Sequence, residues 1–188
     1  MGSGRGILAG IIIAVLILAA LIAVVAVTGA YDVAADRPHT SAVAKFIAYA
    51  RDRSIDARAE GIKAPPLDKP EMIAEGAEHY DAMCTGCHLA PGMKENEMRP
   101  GMNPKPPVLA SFAAAEPGEQ FWIVKHGIKM TGMPAWGKTH SDEEIWNIVA
   151  FLQKLPKLSP QQYHALVKQA GGHHEHEGDE HEEMPMPH

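Results

Sequence analysis

The pentapeptide Cys84-Thr85-Gly86-Cys87-His88 constrains this chain more than any other stretch. Two thiols with two residues between them, followed at once by an imidazole, form the attachment pattern of a c-type haem. Both cysteines can make thioether bonds to the porphyrin vinyl groups, and the histidine stands next in line for the iron. They are the only two cysteines among 188 residues, so neither is spare. Aromatic residues make up 6% of the chain, and 17 glycines and 15 prolines make it loop-rich. A buried porphyrin would supply core that such a composition lacks. A thioredoxin-like dithiol would sit in a βαβ pattern, and none surrounds the motif. A zinc centre needs about four ligands, and Cys84, Cys87 and His88 have no fourth partner at finger spacing. The formal net charge of -6 gives no support to a nucleic-acid partner.

Residues 1–30 read as a membrane anchor. Ile7 to Val27 is Ile, Leu, Val and Ala with one glycine and no charge. A helix of that length spans roughly 30 Å, the hydrocarbon thickness. Thr28-Gly29-Ala30 is a passable cleavage site, but a cleavable signal has a shorter apolar stretch of about 7–15 residues. A retained single-pass anchor is the expectation. Arg5 on one side and Arg37 and Lys45 on the other leave the orientation open by charge. The haem motif decides it, because covalent attachment occurs outside the cytoplasm. The expected place is the bacterial inner membrane, with the haem-bearing part in the periplasm.

Residues 31–66 read as an exit turn, an amphipathic helix and a stiff linker. In Ser41–Glu60 the residues Val43, Phe46, Ile47 and Ala50 form one apolar stripe, with Ser41 as the expected N-cap and Gly61 as the stop. Such a helix can pack on the haem domain or the headgroup region, or dock a membrane partner. Ala64-Pro65-Pro66 breaks it. Residues 67–158 hold the chemistry. Pro70 opens a helix running to about Met83, with Gly76, Tyr80 and Cys84 on one face. Pro117 opens a second that stops at Gly127. Ser141-Asp142-Glu143-Glu144 is a capping box leading into a third, which Pro156 is expected to end. The long, proline-rich loop from His88 to Phe112 is of a kind that is functional or disordered, and wrapping a haem edge would order it. No alternation long enough for a strand is present, so the domain is expected to be all-α.

Ser159, Pro160 and Gln162 open a short helix over 159–172, expected to stop at Gly171-Gly172. Residues 173–188 read as a disordered tail. Its His173, His174, His176, His181 and His188, with Met184 and Met186, are candidate ligands for copper, nickel or zinc, and its histidines could also act as a pH-sensitive charge switch.

Iron bound by His88 has an opposite position to fill. Met133, in Gly132-Met133-Pro134-Ala135-Trp136, is the leading candidate because thioether sulfur favours ferrous iron and raises the potential. Met130, Met102 and His126 remain open rivals on chemistry alone.

The haem pentapeptide, Gly132-Met133-Pro134-Ala135-Trp136 and a last helix ending Val149-Ala150-Phe151-Leu152 together resemble a class I monohaem cytochrome c, over roughly residues 69–157. That resemblance implies a helical domain wrapped round one covalent haem c, with Cys84 and Cys87 as thioether anchors and His88 and Met133 as axial ligands. It implies a crossing of first and last helices with Gly76 against Phe151, flanked by Tyr80 and Trp146. It implies a proline carbonyl, from Pro106 or Pro107, on the other ring nitrogen of His88. Tyr80 and Trp136 are further expected haem-pocket residues. Two strong axial ligands leave no open iron site, so the expected role is electron carriage and not catalysis. The expected donor is a quinol-oxidising complex or a periplasmic dehydrogenase, and the acceptor a terminal oxidase or reductase. The alternative is an integral haem subunit of a multi-subunit respiratory oxidase, reductase or dehydrogenase. A peroxidase cytochrome would carry two haem motifs, and one is present.

Overall fold

Uninterrupted aliphatic side chains give the first helix, α1 (Ser3–Thr28). It is long and apolar enough to cross a membrane, and its apolar side chains are exposed along its length. Gly29, at φ +66°, ends it in a left-handed turn that suits glycine. A small Asp32-centred turn follows, in which Asp32 Oδ1 accepts from the Ala34 amide at 2.9 Å. Asp32 Oδ2 pairs with Arg37 Nε at 3.2 Å. These residues, through Pro38, form one unit, and the chain from His39 onward forms a second. The computed structural model describes residues 3–174 and is all-helical, with no strand among the described residues.

The second unit begins with α2 (Ser41–Ala59), preceded by Thr40 as its N-cap. Ser41 was the expected cap, but it is the first helical residue, and Thr40 makes no side-chain cap bond. Ile55 and Ala59, in the later turns, are buried. The Ala59 and Ile62 carbonyls lie over Gly118, at the start of α5 (Pro117–His126). The extended Ala64-Pro65-Pro66 stretch then leads to α3 (Pro70–Met83), which Pro70 opens as expected.

The core is the crossing of α3 with α6 (Asp142–Leu152). A Cβ on Gly76 would collide with the Asn147 carbonyl and come within 2.9 Å of Phe151 Cβ. Only glycine lets the two helices meet there. Tyr80 packs on Phe151 with ring centroids 5.2 Å apart, and Trp146 stacks on Phe121 of α5 at 4.2 Å. Helix α6 starts with the predicted capping box: Glu144 N–H donates to Ser141 Oγ at 3.3 Å, and Ser141 N–H to Glu144 Oε2 at 2.7 Å. It ends at Leu152, short of Pro156, which lies in a separate 3-10 turn, Leu155–Lys157.

Helix α7 (Pro160–His174) is part of this core. Tyr163 is fully buried, meets Tyr80 and Phe151, and donates from its hydroxyl to Asp81 Oδ1 at 2.5 Å. Ser159 and Gln162 form the expected start, with Gln162 N–H on Ser159 Oγ at 3.2 Å. The helix does not stop at Gly171-Gly172 but runs to His174. Glycine costs a helix about 1 kcal/mol and does not by itself terminate it.

Candidate functional site

Helix α3 ends where the haem motif begins. Cys84 caps α3 and opens α4 (Thr85–His88), a single turn. The Cys84 carbonyl accepts from Cys87 N–H at 3.1 Å and from His88 N–H at 2.8 Å. One helical turn thus places Cys87 at i+3 and His88 at i+4 from Cys84, the spacings that share a helix face. Both thiols are free and half-buried. Burial, aided by the neighbouring Cys87, pushes the Cys84 thiol up to about 12.

The chain leaves the motif through a strained residue. Leu89 sits at φ 59°, ψ 155°, a region that side chains other than glycine rarely adopt. Its burial and a hydrogen bond from Tyr80 Oη to the Leu89 carbonyl, 2.7 Å, hold it there. Tyr80 is therefore committed to the core as well as standing beside the motif. Burial raises its pKa far above the ordinary phenol range.

The proline-rich loop is ordered by its own polar groups. Asn96 Nδ2 donates to the Gly86 carbonyl at 2.7 Å, and Asn96 Oδ1 accepts from the amides of Met98 (3.2 Å) and Arg99 (3.1 Å). The loop then places a carbonyl on the histidine. His88 Nδ1 lies 2.9 Å from the Pro107 carbonyl oxygen. A carbonyl can only accept, so Nδ1 carries the proton and Nε2 keeps its lone pair, the form that binds a metal. Burial lowers the His88 pKa, the Pro107 bond opposes this, and the charge of Arg99 adds to the lowering. Of the two candidate prolines, Pro107 holds the histidine. The Pro106 carbonyl instead accepts from Arg99 Nη2 at 2.7 Å.

Arg99 is the residue that sequence reasoning missed. It is 2% exposed, in a loop. Its Nη1 lies 3.1 Å from Glu95 Oε1, close enough for an ion pair but not aligned as a hydrogen bond, and its Nε has no hydrogen-bond partner. Glu95 also takes Lys105 Nζ at 2.8 Å, and that bond holds its carboxyl below the usual range. Nothing in composition or spacing marks this arginine, because loop closure alone buries it.

The segment after α5 turns sharply at Gly127, whose φ of +64° and close approach to the Met133 and Pro134 backbone both require glycine. Met133 is tied down by its neighbours. Its carbonyl accepts from Ile128 N–H at 3.2 Å, and its amide donates to Thr131 Oγ1 at 3.1 Å. Its side chain is half-buried against the apolar core. Met130 is the opposite case, 91% exposed with φ 62°. Met102 packs at Gly132, beside Met133. His126 is exposed at the end of α5 against Trp122. Trp136 is half-buried and makes an edge contact with His140.

His173 and His174 lie at the end of α7, and His176, His181 and His188 lie outside the described residues. Among the described residues no cluster of His, Cys, Asp and Glu could hold a metal ion, and the copper, nickel or zinc reading of the tail has no support.

A helical turn carrying two thiols and a tautomer-fixed imidazole, backed by a glycine-mediated helix crossing, fits covalent haem. These features are those of a class I monohaem cytochrome c domain, and such a domain points to haem-based electron transfer. Residues 71–152, from the start of α3 to the end of α6, match the family model described as cytochrome C oxidase, cbb3-type, subunit III. No curated protein and no solved structure matches the chain.

Proposed function

We propose that the chain is a membrane-tethered, periplasmic electron carrier. Cys84 and Cys87 would hold a haem c covalently, His88 and Met133 would bind its iron, and the haem would supply the uptake and release of single electrons. The observation that carries this reading is the His88 Nδ1–Pro107 carbonyl bond of 2.9 Å. It presents Nε2 in the metal-binding form and fixes the plane of the ring. Met133 is the second ligand because its backbone is pinned on both sides and its sulfur belongs to the half-buried core. Met130 would have to leave solvent to serve. Tyr80 and Trp136 complete the expected surroundings. Two such side chains, held by their own backbones, would bind the iron with little rearrangement on electron transfer and would leave it no site for oxygen or peroxide. Helix α1 is the tether in the inner membrane, and it raises the effective concentration of the carrier at membrane partners. The partners are a quinol-oxidising complex or a periplasmic dehydrogenase on one side and a terminal oxidase or reductase on the other.

The test is Met133→Ala in protein matured with haem. The sulfur–iron charge-transfer band disappears, and added cyanide or carbon monoxide binds readily. An unchanged band would remove Met133 from the role.

The family match favours a second reading, a haem subunit resident in a respiratory oxidase. Mild detergent extraction separates the two. A free carrier emerges alone, and a subunit emerges with its complex.

A further inference from the structure

The first half of α2 presents apolar side chains that the rest of its unit leaves uncovered. Val43 is 44% exposed, Phe46 72%, Ile47 47% and Tyr49 66%. Val43, Phe46, Ile47 and Ala50 fall at i, i+3, i+4 and i+7, one stripe. Ile55 and Ala59, buried at 7% and 8% toward α5, project from roughly the opposite side of the helix. The stripe is therefore not the face that packs α2 onto its own unit. Exposed apolar side chains gathered in this way mark a surface that meets something.

We propose that this stripe lies on the lipid surface, with Phe46 and Ile47 at the boundary between headgroups and acyl chains. The proposal rests on the reading of α1 as a membrane anchor. Chain continuity carries it. Only residues 29–40 separate α1 from α2, so even a fully extended link holds Ser41 within about 45 Å of the end of α1. The chemistry agrees. Residues 41–50 contain no carboxylate and one cation, Lys45, a balance suited to anionic headgroups. Phe46 and Tyr49 are aromatic groups of the kind that settle at the membrane–water boundary. The acidic residues of α2, Asp52 and Asp56, come later and are engaged by Arg51 and Arg53 at 2.7 and 3.2 Å. Helix α2 would then be a second, reversible contact that fixes which face of the haem domain looks away from the bilayer.

The experiment uses the full chain, matured with haem and reconstituted alone into phosphatidylethanolamine–phosphatidylglycerol vesicles. A photo-crosslinking phenylalanine replaces Phe46 in one sample and Phe112, 60% exposed on the haem domain, in another. The haem spectrum confirms folding of both. The expected result is a lipid adduct at position 46 at least fivefold above that at 112. Flotation with the vesicles but no such excess at 46 would overturn the proposal and leave the anchor standing. Adducts between copies of the chain would overturn it in favour of self-association. Failure to float at all would overturn the anchor and the proposal together.

Discussion

A guanidinium buried to 2% exposure with two of its nitrogens lacking a hydrogen-bond partner is costly unless its charge is used. Arg99 donates to the Pro106 carbonyl, one peptide unit before the carbonyl that holds His88. It thereby braces the stretch that orients His88, and its charge acts on the imidazole. Replacing Arg99 by Met keeps the volume but leaves the Pro106 carbonyl without its donor. The expected cost in a denaturant titration is about 1–2 kcal/mol. Glu95, at 45% side-chain exposure, is re-solvated and adds little. A fixed positive charge near His88, the proposed iron ligand, would favour the ferrous state, so the reduction potential of Arg99→Met should fall. A potential that stays put while stability drops would show that Arg99 is structural only. The contrast with Met133 shows what a sequence can tell at this scale. Met133 stands out by its Gly-Met-Pro context. Arg99, in a run with Glu95, Glu97 and Lys94, looks like one more solvated charge until the loop folds over it.

Helices here are legible where the signal is local. Pro70, Pro117 and the Ser141–Glu144 box each announce a helix start within four residues, and the structure starts helices at or next to them. Where helices end, and which of them join the core, depends on distant partners. Tyr163 is one aromatic in a polar stretch, and only Tyr80, Phe151 and Asp81 from other helices make it a buried anchor. The Gly76 crossing lies between these cases, since its glycine is visible but its partner is known only through resemblance. Gly76→Ala should destabilise the domain by about 3 kcal/mol. The added carbon meets backbone at Asn147, which cannot move aside as a side chain can. Thermal unfolding of the haem-loaded protein measures it.

The α6 cap gives a pH prediction. Hydrogen bonds from the Ser141 amide and hydroxyl hold the Glu144 carboxyl below its usual range. A depressed folded-state value means that its stabilisation is fully present above the unfolded carboxylate value of about 4.3. It is lost as pH falls through the lower folded value. Glu144→Gln should therefore flatten the acid limb of the stability curve below about pH 4. Ser141→Ala should cost about 1 kcal/mol at neutral pH.

At the scale of the whole molecule, the chain divides after Pro38. The haem motif, the His88–Pro107 bond, the Gly76 crossing and α7 all belong to the part that follows. Residues 39–188 expressed with a cleavable export signal should thus mature with the haem spectrum and potential of the full chain. What changes is where the domain goes. If α1 spans the bilayer as proposed, residues 29–40 hold the start of the domain, Ser41, within about 45 Å of the end of α1. Confinement of this kind corresponds to an effective concentration at membrane partners of about millimolar. Without α1 the domain must find those partners by diffusion, helped only by the weak hold of the α2 stripe. Electron delivery to a membrane acceptor should then become first order in the concentration of the soluble domain, where the tethered chain shows no such dependence. Stopped-flow reduction of an acceptor-bearing membrane preparation distinguishes the two. A truncated chain that lost its haem spectrum would show that α1 contributes to the fold. One that delivered electrons at the tethered rate at any concentration would show that α1 is not what keeps the carrier at its partners.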